Sequence, residues 1–169
     1  MNKRVIIRIG DVFQVNISDE NKKFIQYIAD DFSYMNSIVI RVFKKSFEIS
    51  QAISIERIIN LPIDFYAHTS LKNEIKNGKL IKTGNIKEIG SLDVWFRDYL
   101  NPIEVISDEL RIAKNWRIWK VNHPFMNVVD EDGRYEEYDR GGIIPFAWII
   151  KKMIDGNYHF VYPSYSKYI

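Results

Sequence analysis

A chain of 169 residues, 46% hydrophobic and 27% charged, is long enough to bury one real core and too polar for a membrane-embedded protein. The absence of cysteine excludes disulfides, cysteine-based zinc sites and a cysteine nucleophile. A net charge of +2 argues against a general nucleic-acid binder, and no apolar run suffices for a signal-peptide core or a membrane span, so one cytoplasmic domain, residues 1–169, is expected.

The N-terminal stretch Val5 to Asp31 reads as two strands folded on each other. Phe13, Val15 and Ile17 alternate with Gln14, Asn16 and Ser18, which puts one oily and one wet face on the segment. The polar "SDENKK" is expected to be a loop, with Phe24 to Ile28 as the returning strand. Ser37 to Phe43 follows, apolar on both faces, which suggests a central or strongly curved position. "KKSFEISQA" reads as a connection, and Ser54 caps a short helix that Pro62 ends. Ile63 to His68 alternates as a strand. Thr69 or Ser70 then caps "LKNEIK", and Asn77-Gly78 stops it.

Lys79 to Lys82 and Leu92 to Tyr99 are the next strands, with "TGNIKEIGS" as loop between them. "NPIEVISDELRIAKN" fits loop and short helix equally. Trp116 to Val121 is a strand with Trp116 and Trp119 on opposite faces, one expected in the core and the other partly exposed or under a loop. Phe125 to Val129 is expected to form a hairpin with Arg134 to Tyr138 across a "DEDG" turn. Pro145 opens a helix whose Phe146, Ile149, Ile150, Met153 and Ile154 make an apolar stripe, and Gly156 stops it. Tyr158 to Tyr162 reads as a last strand. The expected fold is α+β: a mostly antiparallel, strongly twisted sheet curled towards a partly closed, SH3-like barrel, with one C-terminal helix and one or two short ones. Phe13, Val15, Ile40, Val42, Ile118, Ile150 and Phe160 are the expected core.

Catalytic patterns are missing: the sequence holds no phosphate-binding glycine loop, dinucleotide fingerprint, HExxH or GxSxG. "DEDGRYEEYD" departs from an EF-hand loop, because Tyr135 stands where the glycine belongs. Asp64 and His68 are four apart, too far to bond along a strand. His68, His123 and His159 have no sequence-local partner and read as packed or surface side chains. No catalytic residue, metal or cofactor is assigned. Charge is uneven: five lysines lie between Lys72 and Lys87 with Glu74 as the one acid, whereas six acids lie between Asp130 and Arg140 with two arginines.

The order of "IGDVF" (Ile9 to Phe13), "VIRVF" (Val39 to Phe43), "DFYAHT" (Asp64 to Thr69), "WRIWKVNHPF" (Trp116 to Phe125), "GGIIP" (Gly141 to Pro145) and "FVYP" (Phe160 to Pro163) resembles the immunity protein 26 family of bacterial polymorphic toxin systems. The resemblance implies a cytoplasmic antitoxin that binds and neutralises a cognate toxin. It transfers no catalytic residue; Gly10 and Asp11 read as turn-forming, and the two tryptophans as packing residues. A small nucleic-acid-binding β-barrel and an enzyme with a dispersed site are the competing readings. If the toxin is a nuclease with a basic cleft, an acidic surface complements it. The expected docking segment is an exposed hairpin carrying Asp130, Glu131, Asp132, Tyr135, Glu136, Glu137, Tyr138 and Asp139.

Overall fold

The computed structural model describes residues 5–165; the basic start, residues 1–4, on which the N-terminal reading partly rests, lies outside them. The alternating segment forms β1 (Asp11–Asn16), antiparallel to β2 (Asn21–Asp31), with Phe13 opposite Ile25. Gly10 enters this hairpin at φ +93°, where a side chain would overlap the Ile86 carbonyl. Asp11 accepts the Arg8 amide at 3.0 Å, the turn bond its position suggests.

The polar "NKK" lies in β2 and not in the loop. Its backbone is paired by β1 on one side and by β4 (Phe47–Glu48) on the other, with β3 (Ser37–Phe43) alongside the rest of β2. Its lysines stay polar at their tips: Lys22 donates to the Ile49 carbonyl at 2.9 Å and Lys23 to Asp64 at 3.4 Å. β3 is central, as its two apolar faces suggest. With β5 (Ile63–Thr69) and β6 (Leu80–Asn85), the first sheet runs β5-β3-β2-β1-β6.

Between these strands, α1 (Ile55–Ile59) is capped by Ser54, which accepts the Arg57 amide at 3.3 Å. α2 (Lys72–Lys76) has no side-chain cap; Thr69 instead donates its hydroxyl to the Ile144 carbonyl at 2.8 Å.

β7 (Trp95–Tyr99) opens the second sheet. The ambiguous stretch after it is a small hairpin, β8 (Ile103–Val105) and β9 (Arg111–Ala113), and contains no helix. β10 (Asn115–Lys120), β11 (Met126–Val129) and β12 (Asp139–Arg140) complete the order β11-β10-β7-β12. Arg134 to Tyr138 is not the return strand of a hairpin. It is a turn, and the strand after it pairs parallel with β7 on the far side of the sheet.

α3 (Phe146–Asp155) is the longest helix, with Pro145 as its N-cap and Gly156 as its left-handed stop at φ +79°. Tyr158 to Tyr162 is not a strand either: it packs through its rings, and only Ser164 bridges a strand residue, Ile112. The fold is therefore α+β and mostly antiparallel, but its sheets do not close into a barrel.

Both faces of the first sheet are covered. Phe13, Val15, Ile25, Ile40, Val42 and Phe65 pack under α3 through Phe146, Ile149 and Met153. On the other face, Val12, Phe24 and Phe43 meet Ile58 of α1, while Ile28, Ala29 and Val39 meet Phe96, Trp119 and Val121 of the second sheet. Ile118 is buried as expected, but Ile150 and Phe160 are only half-buried. Ile150 falls on the flank of the stripe, and Phe160 lies in the irregular C-terminal segment.

Candidate functional site

The acidic stretch folds around its first carboxylate. Asp130 ends β11 with its amide on the Lys114 carbonyl at 2.8 Å, and its side chain turns inward. One oxygen accepts the amides of Gly133 and Arg134 at 2.9 and 3.0 Å, and the other accepts Tyr135 N–H at 3.1 Å. A carboxylate receiving several amides is a strong turn cap. Two further turns follow, Glu136 N–H to the Gly133 carbonyl and Tyr138 N–H to the Tyr135 carbonyl, each at 3.1 Å.

The underside of this turn is aromatic. Tyr135 lies against Tyr138 with ring centroids 5.4 Å apart, and Tyr138 stacks on Trp95 at 5.3 Å. Arg97 donates to the Tyr138 carbonyl at 3.2 Å and to the Tyr165 hydroxyl at 2.7 Å, while its guanidinium covers Trp116. The sequence reading missed Arg97 and Trp95, since nothing local marks them as supports for a turn some forty residues on.

The eight expected docking residues thus divide. Glu131, Asp132, Glu136 and Glu137 are exposed; Tyr135 and Tyr138 are half-buried. Glu131 reaches Lys114 at 3.1 Å. Asp130 and Asp139 face inward. Asp139 accepts the Tyr66 amide at 3.0 Å and lies 3.8 Å from the Lys152 ammonium, tying β12 to β5. Burial pushes its carboxyl up to about 6, against the opposing pull of Lys152 and the Tyr66 N–H. Burial likewise lowers Lys152, against the pull of Asp139. Desolvation outweighs pairing on both partners.

A second polar cluster sits between the sheets. Asp31 and His68 are 0% exposed and 3.0 Å apart. The same Asp31 oxygen accepts Trp119 Nε1–H at 2.9 Å, and the other accepts the amides of Ser33 and Asn122. Burial opposes ionisation of Asp31, but the bonds from His68, Asn122 and Trp119 outweigh it and hold the carboxyl below its ordinary value. An ionised acceptor requires Nε2 of His68 to be the donor. Phe96, Tyr34 and Trp119 surround the imidazole at 4.1, 5.2 and 5.9 Å. The pair has the composition of a catalytic dyad and the burial of a staple. With no open face, it fastens β2 and β5 of one sheet to β10 of the other.

The remaining histidines have local partners. His123 bonds the Val121 carbonyl at 2.9 Å, and His159 meets Asp155, four residues back, at 2.7 Å. The four-residue spacing of the second pair is a sequence-local partner, contrary to expectation. The basic stretch is partly spent: Lys79 meets Glu74 at 3.4 Å and Lys82 meets Asp11 at 2.6 Å. A surface hollow of 540 Å³ is lined by Asp19, Glu20, Asn21, Glu48, Ile49 and Ser50. No group of three or more metal-ligating side chains forms among the described residues, and no described helix is long and apolar enough to cross a membrane. Set against protein-family models, curated proteins and solved structures, the chain matches none.

Proposed function

We propose that this protein is a cytoplasmic immunity protein that neutralises a cognate bacterial toxin by binding it, the role implied by its resemblance to the immunity protein 26 family. The observation that carries the reading is the Asp130-capped turn. It presents Glu131, Asp132, Glu136 and Glu137 outward on a base of Tyr135, Tyr138 and Trp95. Binding costs less when the binding surface is already ordered, and three amide bonds to one carboxylate order this one. Opposite charge speeds encounter with a basic cleft and disfavours wrong partners. Half-buried tyrosines beside the acids suit the anchoring of an interface.

The test is association of the toxin from the adjacent locus with the wild type and with Asp132→Lys/Glu136→Lys/Glu137→Lys, at low and high salt. The expected result is an association rate at least tenfold lower for the variant at low salt, with the gap closing as salt rises. Equal rates and affinities for two folded proteins would place the interface elsewhere.

A further inference from the structure

We propose that the free edge of β11 is a self-association site, where a second copy of this chain adds its own β11 antiparallel about a two-fold axis at Val128. The hydrogen-bond phase of the second sheet is fixed on both sides of β10. Leu100 N–H donates to the Asn115 carbonyl at 2.8 Å and Asp130 N–H to the Lys114 carbonyl at 2.8 Å. Because bonded pairs alternate along an antiparallel ladder, Met126 and Val128 aim their backbone groups at β10. Asn127 and Val129 aim theirs outward, and no described residue meets them.

Other edges are closed or charged. Along β5, Asp139 accepts the Tyr66 amide and Ile144 donates to the His68 carbonyl at 2.8 Å. β6 carries Lys82, with Lys79 just before it. Ser164 pairs its backbone with Arg111 and Ala113 of β9. β11 has none of these protections. From Pro124 to Val129 there is no charge, and Val129 is 73% exposed beside Met126 at 45%. Sheet edges of soluble proteins are normally blunted by short strands, charge, proline or cover; β11 is short, at four residues, but its outward backbone is uncovered and uncharged and so is a template for a pairing strand.

Charge selects the second copy and its direction. The strand is followed by the exposed Asp132 and preceded by the exposed His123, whereas Asp130, Glu131 and Lys120 are already held by the turn amides, Lys114 and Asp93. Antiparallel self-pairing sets the acidic end of one copy beside the His123 end of the other. Parallel pairing would set acid beside acid. With Asn127 opposite the partner's Val129, both copies satisfy their outward groups in ~four hydrogen bonds, and Val128 faces Val128 in a non-bonded pair with Cα atoms about 4.5 Å apart. This inference stands apart from the proposed function, and either can fail alone.

The chain has no cysteine, so engineered thiols report geometry cleanly. A Cα separation near 4.5 Å lies within the range a disulfide spans, which makes Val128→Cys the diagnostic variant. Under mild oxidant, Val128→Cys should give a covalent dimer, whereas the more exposed Val129→Cys, which faces Asn127 of the other copy, should give little. Light scattering of the wild type should show twice the monomer mass at high concentration, and Val129→Lys should remain monomeric with an unchanged circular dichroism spectrum. A wild type that is monomeric at its highest soluble concentration overturns the proposal, as does equal cross-linking of the two cysteine variants. A monomer that binds its toxin through this edge, and loses that binding in Val129→Lys, also overturns it by showing a foreign strand as the occupant.

Discussion

The two oxygens of Asp31 accept from four donors, the His68 imidazole and Trp119 indole in buried bonds and the Ser33 and Asn122 amides in part-buried ones. Removing one partner of a buried polar set leaves the others desolvated and unpaired, at a cost of roughly 3–5 kcal/mol. We expect Asp31→Ala to lower the melting temperature by about ten degrees, at ~2–4 °C per kcal/mol for a chain of this size. A shift under two degrees would mean that the staple contributes little. Asp139 makes a prediction of opposite sense. Its folded-state carboxyl titrates at about 6, above the usual value of 3.8. A raised acid contributes stability below its unfolded value and loses it as pH rises through the folded one. The expected loss between about pH 4 and pH 7 is on the order of 2–3 kcal/mol. Asp139→Asn keeps an acceptor for the Tyr66 N–H and should flatten that slope in urea unfolding; an unchanged slope would assign it to another group. Neither residue's role was legible in the sequence. His68 stands 37 positions from its acid, and nothing about "YDRGG" says that the aspartate faces inward.

Elements were more legible where one periodicity dominated. The alternation of Phe13 and Val15 and the stripe from Phe146 to Met153 both mark the main core, so β1 and α3 stand where expected, but the face of β1 expected to be wet is covered as well, with Val12 fully buried. Some misreadings trace to partners distant in sequence, whereas the turn at Arg134 to Tyr138 comes from the local Asp130 cap. "NKK" is extended because β1 and β4 both pair with it, and the β8–β9 hairpin is held against Ser164. Tyr158 to Tyr162 has the alternation of a strand, but it spends its rings on Arg140, whose guanidinium lies 4.4 Å from Tyr162 and 5.6 Å from Tyr158. The β1–β2 hairpin remains central to the first sheet, and Phe13 is fully buried in its main core. Truncating a buried phenylalanine costs about 3–5 kcal/mol. Phe13→Ala should therefore melt about ten degrees below the parent. A difference of a degree or two would remove the hairpin from its organising place.

At the scale of the molecule, the question is whether two sheets with separate strand orders unfold as one. Their joint is narrow but dry: Ile28, Ala29 and Val39 against Phe96, Trp119 and Val121, with the Asp31 cluster at its edge. The Asn122 side chain extends the seam by accepting Phe32 N–H at 2.8 Å, and Asp139 closes it from the other side through Tyr66. Gly141 belongs to the same joint, since a side chain there would overlap the Trp119 ring. Each tie joins groups that are unpaired or exposed once the sheets part, so separating them gains little solvation until both come apart. We therefore expect a single cooperative transition. The tryptophans allow a direct check, because Trp95, Trp116 and Trp119 lie in the second sheet and only Trp148 lies in α3 against the first. Urea unfolding followed by tryptophan fluorescence should share one midpoint with amide exchange measured in β1, β2 and β3. In Asp31→Ala, the two midpoints should fall together. Fluorescence falling at lower urea than exchange, in the wild type, would show that the second sheet opens by itself and that the seam couples the halves only weakly.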